Sequence, residues 1–189
     1  KHDKERYEHK YEYCDLLITG SGPSGLASAY AAAQNGAKVI LAEDKSRFGG
    51  SLLTSEVTIG NQSGREWAEK IISELKSMPN VIVKNRSQVF GYYDHNMLVM
   101  SERVSDHLPK TDKYIPKQRL WYIRAKEVVI SSGSIERPLV FGNNDTPGVM
   151  LSSAAKEYLK VYGVLVGKKP IIFTNNDSGY ETAIEFKKN

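Results

Sequence analysis

The chain has 189 residues, a net charge of +4, 40% hydrophobic residues and 25% charged residues, values that are ordinary for a soluble globular protein. Its single cysteine, Cys14, excludes an intrachain disulfide, and no apolar run is long enough to suggest a membrane span. Basic residues are interleaved with acidic ones, so we interpret the charge as a solvated surface and expect no nucleic-acid partner. The charged N-terminal residues do not resemble a secretory signal, and a cytoplasmic location is expected.

The first half of the chain predicts one βαβ unit after residues 1–13, which are expected to be a solvated lead-in or a stretch that packs on a partner. Residues 15–19 are a short apolar run that suits a buried parallel strand. A glycine turn follows, then a helix rich in alanine over 26–34 and a second strand over 38–42. The crossover between two such parallel strands is right-handed.

The remaining pattern completes an α/β prediction: a Rossmann-like FAD/NAD(P)-binding domain with a parallel sheet, crossover helices and a small antiparallel β-meander from residues 81–100. Further strands and helices are expected in the following places: a helix over 66–78, strands over 81–83, 87–93, 97–100, 120–125 and 127–131, a loop over 105–118, and a helix over 152–162. A strand over 170–174 and a helix from Tyr180 repeat the opening pattern. We therefore assign residues 14–150 to the dinucleotide-binding domain and residues 151–189 to the start of a second, truncated βαβ unit.

The glycine turn is the first candidate binding site, and it consists of Gly20, Ser21, Gly22, Pro23, Ser24 and Gly25. A G-x-G-x-x-G motif between a strand and a helix is typical of dinucleotide binding. The first glycine permits a tight turn, the second lets the pyrophosphate approach the backbone, and the third lets the helix pack on the strand. Pro23 suits the first helical turn, and the N–H groups near Ser24 face the phosphates. The alternative is a glycine-rich turn that binds no ligand.

Glu43 ends the second strand about 20 residues after the glycine turn, where an acid accepts hydrogen bonds from the adenosine ribose. A carboxylate there repels a 2′-phosphate, so the sequence favours NAD or FAD over NADP. Asp44 and Lys45 follow directly.

A second signal is Val-Ile-Ser-Ser-Gly over residues 129–133, where the strand over 127–131 is followed by Ser132 and Gly133. Small residues there can return to the glycine turn and let the dinucleotide pass close by. An ordinary turn at the end of a strand explains the pattern equally well.

The sequence offers no catalytic residue or metal site of its own. The four histidines share no metal-ligand spacing with one another or with Cys14. Glu102-Arg103 and Asp106-His107 are interpreted as a solvated ion-pair cluster, with a polar network near a ligand as the alternative. No nucleophile lies in a recognisable pairing with a base, so any chemistry must come from a bound cofactor or from another chain.

Beyond these motifs, the chain resembles the α subunits of heterotetrameric sarcosine oxidases from about Tyr7 onward. The resemblance is most specific over residues 118–125, Gln-Arg-Leu-Trp-Tyr-Ile-Arg-Ala. Further matching stretches are residues 14–26, 41–44, 49–52, 89–94, 102–108, 133–141, 143–150 and 173–177. Two departures stand out: Ser131-Ser132-Gly133 replaces a common Ala-Thr-Gly, and the acids at 43–44 are in the order Glu-Asp.

The resemblance implies a longer α subunit that binds NAD in this segment without turnover. The family's complex demethylates sarcosine oxidatively to glycine, releases hydrogen peroxide and passes the methyl carbon to tetrahydrofolate. FAD belongs to the β subunit, FMN lies between α and β, and the β subunit is the expected partner. Carried onto matching positions, further NAD contacts fall at Asp44, Lys45, Gly50 and Ser51, with a backbone contact from Val89 to adenine.

Two rival functions remain open. The chain could be the FAD-binding part of a related amine or opine dehydrogenase subunit. It could also be a non-enzymatic module that needs a dinucleotide for assembly with a partner. Bound flavin or turnover-free partner binding distinguishes these rivals.

Overall fold

The computed structural model describes residues 5–188, which form two compact units: residues 5–52 with 56–133, and residues 53–55 with 134–188. The strands of the first unit are β1 (Tyr7–Thr19), β2 (Val39–Ala42), β3 (Thr58–Ile59), β4 (Gln62–Ser63), β5 (Val81–Lys84), β6 (Ser87–Tyr93), β7 (Met97–Arg103) and β8 (Gln118–Ile130). Its helices are α1 (Pro23–Gln34) and α2 (Gly64–Ser77). Helices α3 (Ser152–Tyr162) and α4 (Ser178–Lys188) belong to the second unit.

The main sheet has six strands in the order β5-β2-β1-β8-β7-β6. Strands β5, β2, β1 and β8 are parallel, and β7 and β6 continue the sheet in antiparallel pairing. Strands β3 and β4 form a separate small hairpin. The predicted α/β fold with an antiparallel meander is confirmed.

Helices α1 and α2 cover one face of the parallel strands. Leu26 and Ala29 of α1 and Leu75 of α2 are buried in one cluster with Ile18 and Leu41 of the sheet. The small side chains of α1 let its backbone approach the strands closely. A capping box at Ser63 starts α2, because the serine side chain accepts from the Glu66 N–H and the glutamate accepts from the Ser63 N–H.

The opposite face of the parallel strands packs against the antiparallel part of the sheet. Leu17 and Ile40 are buried together with Met100, Trp121 and Ile123. The sheet curls back on itself, since the Ser87 N–H of β6 donates to the Glu43 carbonyl after β2 over 2.8 Å. This curl brings the start of the meander to the carboxyl end of the parallel strands.

A buried ion-pair network holds the meander to the long strands. The Glu102 carboxylate accepts hydrogen bonds from the Trp121 indole at 2.7 Å, the Lys84 ammonium at 2.8 Å and the Arg119 guanidinium at 3.0 Å. Glu102 is buried, so the prediction that this residue belongs to a solvated cluster is wrong. Its charge is instead neutralised within the sheet.

Three predicted strands differ from the observed ones. Strand β1 begins at Tyr7 rather than at residue 15, because residues 7–13 of the expected lead-in pair with the first half of β8. Strand β8 is continuous from 118 to 130 instead of being two strands. Strand β5 was expected in the meander, but it joins the parallel part by pairing with β2.

The second unit contains two helices and extended chain. The Glu136 carboxylate accepts the N–H groups of Ser152 and Ser153 at 3.3 and 2.7 Å, which caps the start of α3. Residues 170–174, predicted as a buried strand, have no strand partner within residues 5–188, and Phe173 is exposed. A strand needs a neighbour for its backbone hydrogen bonds, and the described chain supplies none there.

No helix in the part of the chain that the structure describes is long and apolar enough to cross a membrane.

Candidate functional site

The glycine turn lies at the carboxyl end of β1, where two of its glycines are required by packing. Gly20 has φ +98°, and a Cβ there would lie 2.3 Å from the Ser131 carbonyl oxygen. A Cβ on Gly25 would lie 2.0 Å from the Gly20 carbonyl oxygen. Any side chain at these two positions would displace backbone, so they serve the close packing of turn, helix and β8.

Gly22 differs from these two glycines, because a Cβ built on it meets no atom within 4 Å. Its backbone is extended, with φ −67° and ψ −178°, which any residue can adopt. Gly50 lies against it, since a Cβ on Gly50 would be 2.8 Å from the Gly22 Cα. The chain therefore leaves open space directly in front of Gly22, and its own fold does not require the missing side chain.

Helix α1 presents its N-terminus at this open space. Pro23 is its first residue, and the Leu26 N–H bonds to the Gly22 carbonyl at 2.9 Å. The N–H groups of Ser24 and Gly25 precede that bond, and in an α-helix such groups have no carbonyl of the same helix to reach. They and the helix dipole create a positive local potential that suits an anion such as a phosphate.

Glu43 lies beside the turn with only 6% of its surface exposed. Its Oε2 accepts the Ser21 N–H at 2.9 Å and the Ser21 hydroxyl at 2.5 Å, and its Oε1 accepts the Lys45 N–H at 2.9 Å. Burial raises the pKa of Glu43, as does a hydrogen bond with Asp44, while the Ser21 and Lys45 donors lower it; the net shift is upward. Asp44, the next residue, is exposed to solvent.

The end of β8 returns to the glycine turn. Ile130 pairs with Thr19, and the next N–H, that of Ser131, donates to the Thr19 carbonyl at 2.8 Å. Ser132 and Gly133 follow, with Gly133 in the left-handed region at φ +72°. The geometry that the Ser-Ser-Gly pattern predicted is therefore present.

Val89 lies two residues beyond Ser87, whose N–H is bonded to the Glu43 carbonyl. The pairing of β6 with β7 changes register between Val89 and Gly91, so the strand is irregular at this point. Ser51 lies in a short 3₁₀ turn, Gly50–Leu53, directly after the glycine that faces Gly22. The structure thus brings the glycine turn, Glu43, the Gly49-Gly50 loop and the end of β8 together at the carboxyl edge of the parallel strands.

Sequence reasoning missed one residue of the site, Gly49. The Gly49 N–H donates to the Ser21 carbonyl at 3.1 Å and to the Ser21 hydroxyl at 3.2 Å, which ties the loop after β2 to the turn. Ser131, the first residue of the Ser-Ser-Gly pattern, supplies the carbonyl that packs against Gly20. The Gly49-Gly50 pair was a usable signal for the first contact, whereas nothing in the local sequence shows that the carbonyl of Ser131 makes the second.

The fold and the glycine turn at the carboxyl edge of its parallel strands define the class of domain. It is a Rossmann-like domain of the kind found in flavin-dependent oxidoreductases. The family described as FAD dependent oxidoreductase matches residues 15–100. L-proline dehydrogenase from P.horikoshii superposes with a TM-score of 0.74 over 95% of this chain and 35% of its own, at 23% identity, which shows a shared fold.

Sequence comparison gives the particular relationship. The sarcosine oxidase α subunit of Rhizobium meliloti is 45% identical over 98% of this chain. An opine oxidase subunit of Agrobacterium tumefaciens is 26% identical over 86% of this chain, and the match covers 33% of the length of that relative. The chain is therefore a homologue of the sarcosine oxidase α subunits, and it spans 19% of the length of the Rhizobium meliloti relative.

Proposed function

We propose that this chain binds NAD at the glycine turn, as a segment of a sarcosine-oxidase-type α subunit. The observation that carries the proposal is the open space in front of Gly22, which lies at the N-terminus of α1 and against Gly50, with Glu43 bonded to the adjacent Ser21. A pyrophosphate fits that space, because a missing Cβ and free helical N–H groups are what its approach requires.

Each part of the dinucleotide has a suitable group in this arrangement. The pyrophosphate lies over Gly22 and receives hydrogen bonds from the first turn of α1, near Ser24. The ribose hydroxyls donate to the carboxylates of Glu43 and Asp44, which also repel a 2′-phosphate. Lys45, Gly50, Ser51 and the backbone of Val89 complete the adenosine side by family resemblance. Ser132 and Gly133 provide a small-residue wall along the dinucleotide.

The activity of the whole complex is part of the same proposal. By resemblance, it demethylates sarcosine oxidatively to glycine, releases hydrogen peroxide and delivers the methyl carbon to tetrahydrofolate. In that arrangement NAD is held here without turnover, and FAD and FMN of a cytoplasmic heterotetramer carry the oxidation. This chain contributes binding and orientation, and the β subunit is its expected partner.

FAD is the second candidate ligand for the same site. The family match over residues 15–100 is to FAD-dependent enzymes, and the relative from Agrobacterium tumefaciens is an opine oxidase subunit. The adenosine diphosphate half is common to NAD and FAD, so the turn and Glu43 suit both.

Identification of the nucleotide released from the purified full-length protein by denaturation tests the choice, with mass spectrometry as the readout. Release of NAD from this site supports the proposal. Because FAD elsewhere in a complex would also be released, the measurement is repeated on Gly22→Val. Loss of NAD alone in that variant assigns NAD to the turn, and loss of FAD alone assigns the flavin to it. A wild type that releases neither contradicts both assignments.

A further inference from the structure

Ser21 is the one residue of the glycine turn whose side chain is fully enclosed by the described chain, with 0% of its surface exposed. Its hydroxyl donates to Glu43 Oε2 at 2.5 Å and accepts the Gly49 N–H at 3.2 Å. The single proton of this hydroxyl is given to Glu43, and no part of the side chain is exposed toward a ligand in front of the turn. The Ser21 hydroxyl therefore holds other groups of the protein and does not contact the ligand.

The two partners of the Ser21 hydroxyl, Glu43 and Gly49, lie on different sides of the candidate site. Glu43 carries the carboxylate at the ribose position, and Gly49 precedes the glycine that faces the open space at Gly22. The hydroxyl thus joins the acid after β2, the loop that follows it and the turn after β1. Displacement of any one of these segments would stretch a hydrogen bond to Ser21.

We propose that Ser21 is a positioning residue of the dinucleotide site, which orients the Glu43 carboxylate toward the ribose and seats the Gly49-Gly50 loop beside the pyrophosphate. This inference rests on the proposed function. It removes the Ser21 side chain from the ligand contacts expected for the glycine turn and gives it a separate, testable task.

The hydrogen bonds around Glu43 explain how the orientation is set. A carboxylate offers about four acceptor positions. Ser21 occupies two of them on Oε2, with its N–H and its hydroxyl, so that Oε2 is directed at the turn. Oε1 receives the Lys45 N–H, and the Asp44 side chain hydrogen-bonds to the same carboxyl group, so the two acids meet where the ribose hydroxyls are expected.

The same hydroxyl also favours the charged form of Glu43. Burial raises the pKa of this carboxyl, and the hydrogen bond from Ser21 opposes that rise. Among charged groups on the adjoining segments, Asp44 hydrogen-bonds to Glu43, Lys45 contributes its N–H, and the Lys84 ammonium is bonded to Glu102. Loss of the hydroxyl therefore moves the pKa of Glu43 further upward and makes dinucleotide binding more sensitive to acid.

The test is a titration of the full-length protein with NAD by calorimetry over a series of pH values. The variants are Ser21→Ala, Glu43→Gln and the double substitution. Ser105→Ala is the matched control, since Ser105 is equally buried and donates its hydroxyl to the Pro116 carbonyl. Ser21→Ala keeps the backbone bonds from Ser21 to Glu43 and from Gly49 to Ser21, so the turn should remain folded.

We expect Ser21→Ala to weaken NAD binding about tenfold, the size of one lost hydrogen bond to a charged group. The pH below which binding declines should move upward, and Ser21→Ala should cost clearly less once Glu43 is already Gln, with a remainder that reflects the bond from Gly49. Ser21→Gly replaces Ser21→Ala if the latter does not fold, because glycine suits a turn and also lacks the hydroxyl.

Two results overturn the inference. Either Ser21→Ala binds NAD like the wild type at every pH, or its effect multiplies with that of Glu43→Gln, as two independent sites would. In both cases the wild type still binds dinucleotide and the proposed function stands. A wild type that binds neither NAD nor FAD instead removes the proposed function and the role of Ser21 together.

Discussion

Substitution of Gly22 by valine should abolish dinucleotide binding while leaving the fold intact. The two effects are separable because the three motif glycines have different surroundings. A Cβ on Gly20 or Gly25 would lie 2.3 or 2.0 Å from a backbone oxygen, whereas a Cβ on Gly22 meets nothing within 4 Å. Valine at position 22 therefore enters only the space assigned to the pyrophosphate.

The magnitudes follow from that geometry. The backbone of Gly22 is extended and free of positive φ, so the loss in the free energy of unfolding should stay within about 1 kcal/mol, most of it because Gly22 is the N-cap of α1 and valine is a poorer cap. A ligand forced past the valine side chain incurs about 1–3 kcal/mol of overpacking and loses hydrogen bonds at the helix N-terminus. The dissociation constant should rise by roughly a hundredfold or more.

The assay pairs calorimetric titration with NAD and FAD with urea unfolding of the same full-length preparations. Gly142→Val is the control, because a Cβ at Gly142 also meets nothing within 4 Å and the residue has no positive φ. Gly20→Ala and Gly25→Ala provide the opposite pattern, with a clear loss of stability. Gly20→Ala adds the strain of φ +98° to the backbone collision.

Full affinity in Gly22→Val would refute the placement of the pyrophosphate over this residue. Loss of binding accompanied by unfolding, with Gly142→Val unaffected, would refute the claim that the space in front of Gly22 is free of protein atoms. A Gly22→Val variant that folds but does not bind the dinucleotide is the result expected if the pyrophosphate lies over Gly22.

Three further changes have expected outcomes. Glu43→Ala should weaken NAD about tenfold and relax discrimination against NADP, since the ribose acceptor is removed; unchanged titrations of both nucleotides would place the ribose contact elsewhere. Burial raises the pKa of Glu102, but hydrogen bonds that include one from Lys84 outweigh burial and hold the pKa below its ordinary range. This carboxylate thus contributes stability above the pKa of the unfolded state, and that stability is lost as the pH falls through the lower folded pKa. Glu102→Gln should remove that part of the acid dependence and about 2 kcal/mol at neutral pH in urea unfolding, and an unchanged pH slope would contradict it. Burial raises the pKa of the Cys14 thiol to about 12, so alkylation at neutral pH should require unfolding; rapid labelling of the native protein would be inconsistent with this.

Local sequence was sufficient for the elements whose signals are short-range. The glycine turn, the alanine-rich α1 and the amphipathic α2 with its capping box each follow from residues within one or two helical turns. The helix over 152–162 was predicted with the observed bounds for the same reason, because its hydrophobic spacing and the following Gly163 mark it.

Long-range pairing decided the parts that sequence reasoning assigned differently. Tyr7, Tyr11 and Tyr13 alternate with charged residues, a pattern that suits a strand but offers no apolar face for a core, and β8 lies beside residues 7–13 and pairs with each in register. Residues 170–174 show the reverse case, since their apolar run predicts a strand but no neighbour in the described chain pairs with them.

The features of the candidate site can likewise be separated into those that local sequence predicts and those that depend on the tertiary structure. Its residue types, the glycines at 20, 22 and 25 and the acid at 43, could be identified from spacing alone, because the chemistry of a pyrophosphate and a ribose demands them. The motif also predicted that Gly20 and Gly25 serve the turn and its packing and that Gly22 leaves space, and the structure has that arrangement. Only the tertiary structure shows that the Ser21 hydroxyl is turned inward to Glu43 and Gly49. The physical reason is that a motif specifies which atoms a residue offers, whereas the neighbours of those atoms come from strands and loops distant in the chain.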